Sequence, residues 1–139
     1  SSYDGPAYMR LAKRGEPGAL GVLGFTIDPQ VAVERFAVSP AAVEMGAHIT
    51  LDAALRSEAP VPQRLVVDFV VHHVNASGAT SPKVFKWTPV DLGPGEQRSL
   101  TKRRLIQQAS TRTYRAGTHV VELQVGGRIV ASTAFDVEL

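Results

Sequence analysis

The sequence predicts an all-β domain of about seven strands, a sandwich or barrel, preceded by two short helices. Three observations carry this. From Val31 onward, apolar-rich segments recur at intervals of about 8 to 12 residues with turn chemistry between them. Within them the apolar positions alternate: Ile49, Leu51, Ala53 and Leu55 oppose His48, Thr50 and Asp52, and Val121, Leu123 and Val125 oppose Glu122 and Gln124. Finally, Gly126-Gly127 separates two such segments by two residues that both tolerate positive φ, a strong hairpin signal. The 139 residues, 44% of them hydrophobic and 20% charged, suffice for one real core and exclude a disordered or collagen-like chain.

The elements follow in order. Asp4 suits a helix cap, Pro6 a first turn, and Ala7, Tyr8, Leu11 and Ala12 share one helical face before Gly15; Glu16-Pro17 opens a second short helix carrying Leu20 and Leu23 and ended by Gly24. Helices this short are not stable alone in water. Asp28-Pro29 marks a boundary, because the residue before proline is pushed out of the helical region, and divides a helical segment, 1–30, from a β domain, 31–139. The strands expected are Val31–Val38, closed by Ser39-Pro40, then Ala47–Leu55, Arg64–Val74, Lys83–Thr88, Arg98–Leu105, Thr118–Val125 and Arg128–Val137. Arg64–Val74 is apolar on both faces, Leu65, Val67, Phe69 and Val71 on one and Val66, Val70 and Val74 on the other, so both are expected to be covered.

Several chemistries are excluded. With no cysteine there is no disulfide framework, thiolate nucleophile or Cys-ligated metal, and a reducing cytoplasm fits. Apolar runs fall far short of the roughly 20 residues that a membrane helix needs, and the start lacks a signal-peptide pattern, so a soluble protein with no membrane partner is expected. The chain opens on Ser1-Ser2 without an initiator Met, which points to an excised or trimmed fragment. Of the four histidines, the adjacent His72 and His73 fall on opposite faces of a strand and cannot share an ion; His73 is expected in the core and His72 on the outer face. No G-x-S-x-G elbow is present, and Gly93-Pro94-Gly95 lacks the phosphate-loop frame and reads as a turn. Nothing singles out two of the 13 acids. The expectation is no catalytic residue, no metal and no cofactor.

Charge is the one anomaly. Residues 1–61 hold five basic and seven acidic groups, whereas residues 83–115 hold eight basic (Lys83, Lys86, Arg98, Lys102, Arg103, Arg104, Arg112, Arg115) against Asp91 and Glu96. Such asymmetry points to a polyanionic partner. Thr80–Trp87 interleaves basic and aromatic groups, with Lys83, Phe85 and Trp87 alternating against Val84 and Lys86. Along Lys102-Arg103-Arg104 at most two of three side chains can serve one surface, and the plainer reading is a solvated face or a guarded sheet edge. Arg112 and Arg115 flank Tyr114 in the next loop, where Tyr114 suits a structural corner better than a base-stacking platform. His72 is placed to donate to a phosphate.

The run Leu65–Trp87, containing Val70-Val71-His72-His73-Val74-Asn75, followed by Leu92-Gly93-Pro94-Gly95-Glu96 and Tyr114-Arg115-Ala116-Gly117-Thr118-His119, resembles the C-terminal immunoglobulin-like domain of bacterial HEAT-like-repeat DNA alkylation repair proteins, the C-type alkylpurine DNA glycosylases. Gly15–Phe25 is similar to the tail of the last helical repeat in that family, and the resemblance spans roughly residues 13–139. It implies an immunoglobulin-like antiparallel β-sandwich, preceded by two short helices left from a helical repeat. It also implies a parent enzyme that excises alkylated purines such as 3-methyladenine, with its catalytic acids in the repeats. No position here matches the catalytic motif, so this fragment is expected to have no glycosylase activity. The small departures, such as Gly126-Gly127 where Asn-Gly would be common, leave the fold expectation intact.

Two functions are therefore weighed. In the first, the domain is an accessory module that binds duplex DNA through its phosphate backbone without reading sequence, using Lys83, Lys86, Lys102, Arg103, Arg104, Arg112, Arg115 and His72. In the second, it braces the helical-repeat domain of the same parent chain without touching DNA; Asp at Val66 or Val70 would then detach or unfold it.

Overall fold

The computed structural model describes residues 24–75, 77–107 and 115–138. The two helices expected ahead of Gly24, and Arg112 and Tyr114, lie outside these residues. Eight strands follow: β1 Val31–Ser39, β2 Ala42–Glu44, β3 His48–Ser57, β4 Gln63–Val74, β5 Thr80–Leu92, β6 Gln97–Leu105, β7 Gly117–Val125 and β8 Arg128–Glu138. They build two packed sheets, a three-stranded one ordered β1-β3-β6 and a five-stranded one ordered β2-β8-β7-β4-β5. All seven expected strands are present. The eighth, β2, corrects an expectation of wholly antiparallel pairing, because it runs parallel to β8 from Ala42↔Asp136 to Glu44↔Glu138.

The core lies between the sheets in two continuous clusters. At one end Ile49 and Leu51 of β3 meet Phe69, Val71, Val121 and Phe135; at the other Ala53 and Leu55 meet Leu65, Val67, Leu123 and Val125. Fully burying each large side chain contributes about 1.5–3 kcal/mol before entropy is charged against it. The hairpin β7–β8 turns at Gly126 and Gly127, with φ of 57° and 83°, as a two-residue turn with both central residues at positive φ requires.

Three bulges adjust which face each strand buries. Glu34 in β1, Trp87 in β5 and Val130 in β8 each lack an opposite number in the ladder. An extra residue reverses the alternation beyond it. Thus Phe85 and Trp87 turn inward before the bulge of β5, and Val90 and Leu92 after it. The two faces of β4 are unequal: its inner row is sealed, while on the outer row Val70 is buried but Val66 and Val74 are only half-buried. Among the described residues no helix is long and apolar enough to cross a membrane.

Candidate nucleic-acid interface

The strands β5 and β6 are edge strands of different sheets, and they touch along one side of the sandwich. The lysines and arginines singled out from the sequence are carried mainly by this pair. On β6 the alternation is regular, with Arg98, Leu100, Lys102 and Arg104 half-buried and Gln97, Ser99, Thr101, Arg103 and Leu105 exposed. Because Leu100 packs into the core, Lys102 and Arg104 face the opening between the sheets, and Arg103 points from the outer face of the three-stranded sheet. On β5, Lys83 shares the inward side with buried Phe85, whereas Lys86 is exposed on the opposite side with Val84.

The result is a row along the opening. Arg104 sets its guanidinium carbon 3.9 Å from the ring centre of Phe85 and 5.8 Å from that of Phe69. Since β5 starts and β6 finishes at the same end of the sandwich, Lys83 lies to one side of this contact and Lys102 to the other, each about 7 Å along its strand. Arg103 and Lys86 flank the row on opposite outer faces. Arg103 Nη2 lies 3.4 Å from Nδ1 of His48, a neighbour that sequence reasoning passed over because the register that joins their strands is invisible there. His72 lies on the outer face of the five-stranded sheet, its Nε2 2.5 Å from Oε1 of Glu122, so this imidazole already has an acceptor. Arg115 is exposed just ahead of β7, and Arg112 lies outside the described residues.

Pairing separates these cations from four other arginines. Arg56 meets Glu34 at 3.0 Å, Arg98 meets Glu96 at 3.1 Å, Arg128 meets Asp28 at 2.6 Å and Arg64 meets Asp91 at 3.9 Å. Among the described residues no carboxylate pairs with Lys83, Lys86, Lys102, Arg103 or Arg115. Glu96 is fixed in the β5–β6 turn, where it accepts from the Gly93 backbone N–H at 2.8 Å; that bond and the Arg98 guanidinium hold its carboxyl below the usual range.

The aromatic groups serve the interior. Phe69 and Phe85 stack at 5.3 Å and Trp87 meets Phe69 edge-on at 6.0 Å, which makes Trp87 a packing residue. His73 is buried beside Phe85, on the opposite face from His72. Among the described residues no three His, Asp or Glu side chains lie together as metal ligands would.

The model of one family, the C-terminal Ig-like domain of the uncharacterised protein YhaZ, matches residues 32–139. The chain belongs to this YhaZ C-terminal Ig-like family. Protein YhaZ of Bacillus subtilis is 24% identical over 131 residues, covering 94% of this chain and 36% of the relative. Among solved structures, the Pseudomonas fluorescens alkylpurine DNA glycosylase AlkC, bound to DNA containing an abasic site analog, superposes with a TM-score of 0.92 at 34% identity, covering 96% of this chain and 37% of that one. This YhaZ-type domain thus spans about a third of the length of both proteins. A β-glucosidase from Erythrobacter marinus matches with a TM-score of 0.65 at 13% identity, over 79% of this chain and 16% of that one, a likeness of fold alone. The resemblance to the alkylation repair glycosylases and the all-β immunoglobulin-like fold are both borne out.

Proposed function

We propose that this domain is a non-catalytic accessory module of a bacterial DNA alkylation repair glycosylase that works in the cytoplasm and grips duplex DNA by its phosphates. The observation that carries this reading is the concentration, along the β5–β6 side, of cations with no carboxylate partner among the described residues, whereas Arg56, Arg64, Arg98 and Arg128 are each matched to a carboxylate. A row of ammonium and guanidinium groups suits a linear run of phosphates and carries no base-edge readout. The likeness to AlkC, a glycosylase held on DNA, supports the same partner here. Lys83, Lys86, Lys102 and Arg103 are the contacts proposed; Arg104 stands in the same row, Arg115 is exposed just ahead of β7, His72 is occupied by Glu122, and Arg112 lies outside the described residues. Excision chemistry belongs, on this reading, to the helical-repeat part of the parent chain.

Fluorescence anisotropy of a labelled duplex, titrated with the 139-residue chain at several salt concentrations, tests the proposal. With three or four phosphate contacts, log affinity falls against log salt with a slope of about −3, and dissociation constants lie at about 10⁻⁴ to 10⁻⁶ M. The pair of changes Lys102→Glu and Arg103→Glu abolishes binding while the thermal melt is preserved. Salt-insensitive binding, or binding untouched by the pair, overturns the reading.

One observation favours bracing as a second role. Phe25 lies under the outward guanidinium of Arg64, and Thr26 N–H donates to the Arg64 carbonyl at 2.8 Å. The chain thus approaches on the outer face of the five-stranded sheet, the face that carries Val66, Val70, Val74 and Val84.

A further inference from the structure

Arg104 differs from the other cations on the open side. Its guanidinium rests on the face of Phe85, 3.9 Å from the centroid, and Phe85 is stacked at an interplanar angle of 18° on the fully buried Phe69. The cation therefore caps a stack rooted in the core. No ladder joins β5 to β6, since each is the edge of its own sheet. The turn between Leu92 and Gln97 and the bond from Arg98 to the Asp91 carbonyl at 3.3 Å join the two strands at one end; farther along, Arg104 on Phe85 is a contact across the opening that lies between Lys83 and Lys102.

We propose that Arg104 is a positioning residue, whose seat on Phe85 ties β6 to β5 and holds Lys83 and Lys102 at a fixed separation for two separate phosphates of the duplex. This rests on the DNA-binding reading above. A planar guanidinium can lie flat on a ring, whereas an ammonium presents a compact, strongly hydrated charge, so lysine is a poor substitute in this seat. At a phosphate contact the two would be close to interchangeable in charge. The distinction gives the proposal its test.

Arg104→Gln, Arg104→Lys, Phe85→Leu and the double variant Arg104→Gln/Phe85→Leu are compared by urea denaturation and by anisotropy with the labelled duplex over a salt series. A positioning role predicts that Arg104→Lys weakens DNA binding a few-fold, nearly as much as Arg104→Gln, and that neither variant changes the salt slope. Lys102→Gln, by contrast, lowers the slope by about 0.9. It also predicts that the double variant is hardly less stable than the weaker single one, because both remove the same contact. The proposal fails if Arg104→Lys binds as the unaltered chain does while Arg104→Gln loses about one ion of slope, for then Arg104 is itself a phosphate ligand. It fails equally if the stability losses at Arg104 and Phe85 simply add. An unaltered chain that binds no duplex at any salt concentration overturns the proposed function and the positioning role together, leaving the coupling to report on packing alone.

Discussion

His119 is fully enclosed, stacked on Phe135 at 5.4 Å and meeting His73 edge-on at 6.2 Å. Its Nδ1–H donates to the Gly117 carbonyl at 3.1 Å, which fixes the tautomer, since a carbonyl can only accept. Burial lowers its pKa below the ordinary 6.5, against the opposing pull of the Gly117 carbonyl and the Asp136 charge. A histidine whose folded pKa is depressed is protonated first in the unfolded chain. The stability tied to its neutral form is complete above pH 6.5 and is lost as pH falls through the folded value. The urea midpoint should therefore fall as the pH is taken down below 6.5, and the fall should shrink in His119→Gln. The sequence made His72 and His73 legible, because a period of two divides them between outer face and core. His119 was legible by the same parity with Val121, yet with no neighbouring histidine to contrast it drew no notice.

At the scale of elements, the strand count and the β7–β8 hairpin were readable because alternation and a Gly-Gly turn are local signals. What was missed is long-range. β2 is three residues long and gains its place only by pairing with the far end of β8. The fourth expected strand, Lys83–Thr88, grew to Thr80–Leu92 because Pro82 and Pro89, which argue for breaks in a central strand, are tolerated on an edge. The bulge at Trp87 is equally silent in the sequence, since it is defined by its partners Val67 and Asp68 on β4. Turn chemistry, in contrast, gives a sharp expectation. A Cβ on Gly126 would sit 2.4 Å from Pro29 Cγ, at a φ of +57° that a side chain resists. Gly126→Ala should cost more than about 1 kcal/mol in urea denaturation, and a neutral result would mean that Pro29 yields freely.

For the whole molecule, the basic segment was plain in the sequence but its division was not. Composition gave Arg98 the same standing as Lys102, and only the fold showed that Glu96 answers Arg98 while Lys102 faces the opening. The difference is measurable: Arg98→Gln and Arg64→Gln should leave the salt slope of DNA binding unchanged, whereas loss of Lys102 should not. The edge farthest from β5 is built from β2 and β8 and bears Glu44, Asp136 and Glu138. Among the described residues the charge is therefore divided across the sandwich, cations along β5 and β6 and carboxylates along β2 and the end of β8, a division that the net charge of +2 conceals. In the field of a nucleic acid such a particle feels a torque that turns its β5–β6 edge forward before contact, so its encounter rate should fall with ionic strength more steeply than its modest net charge implies.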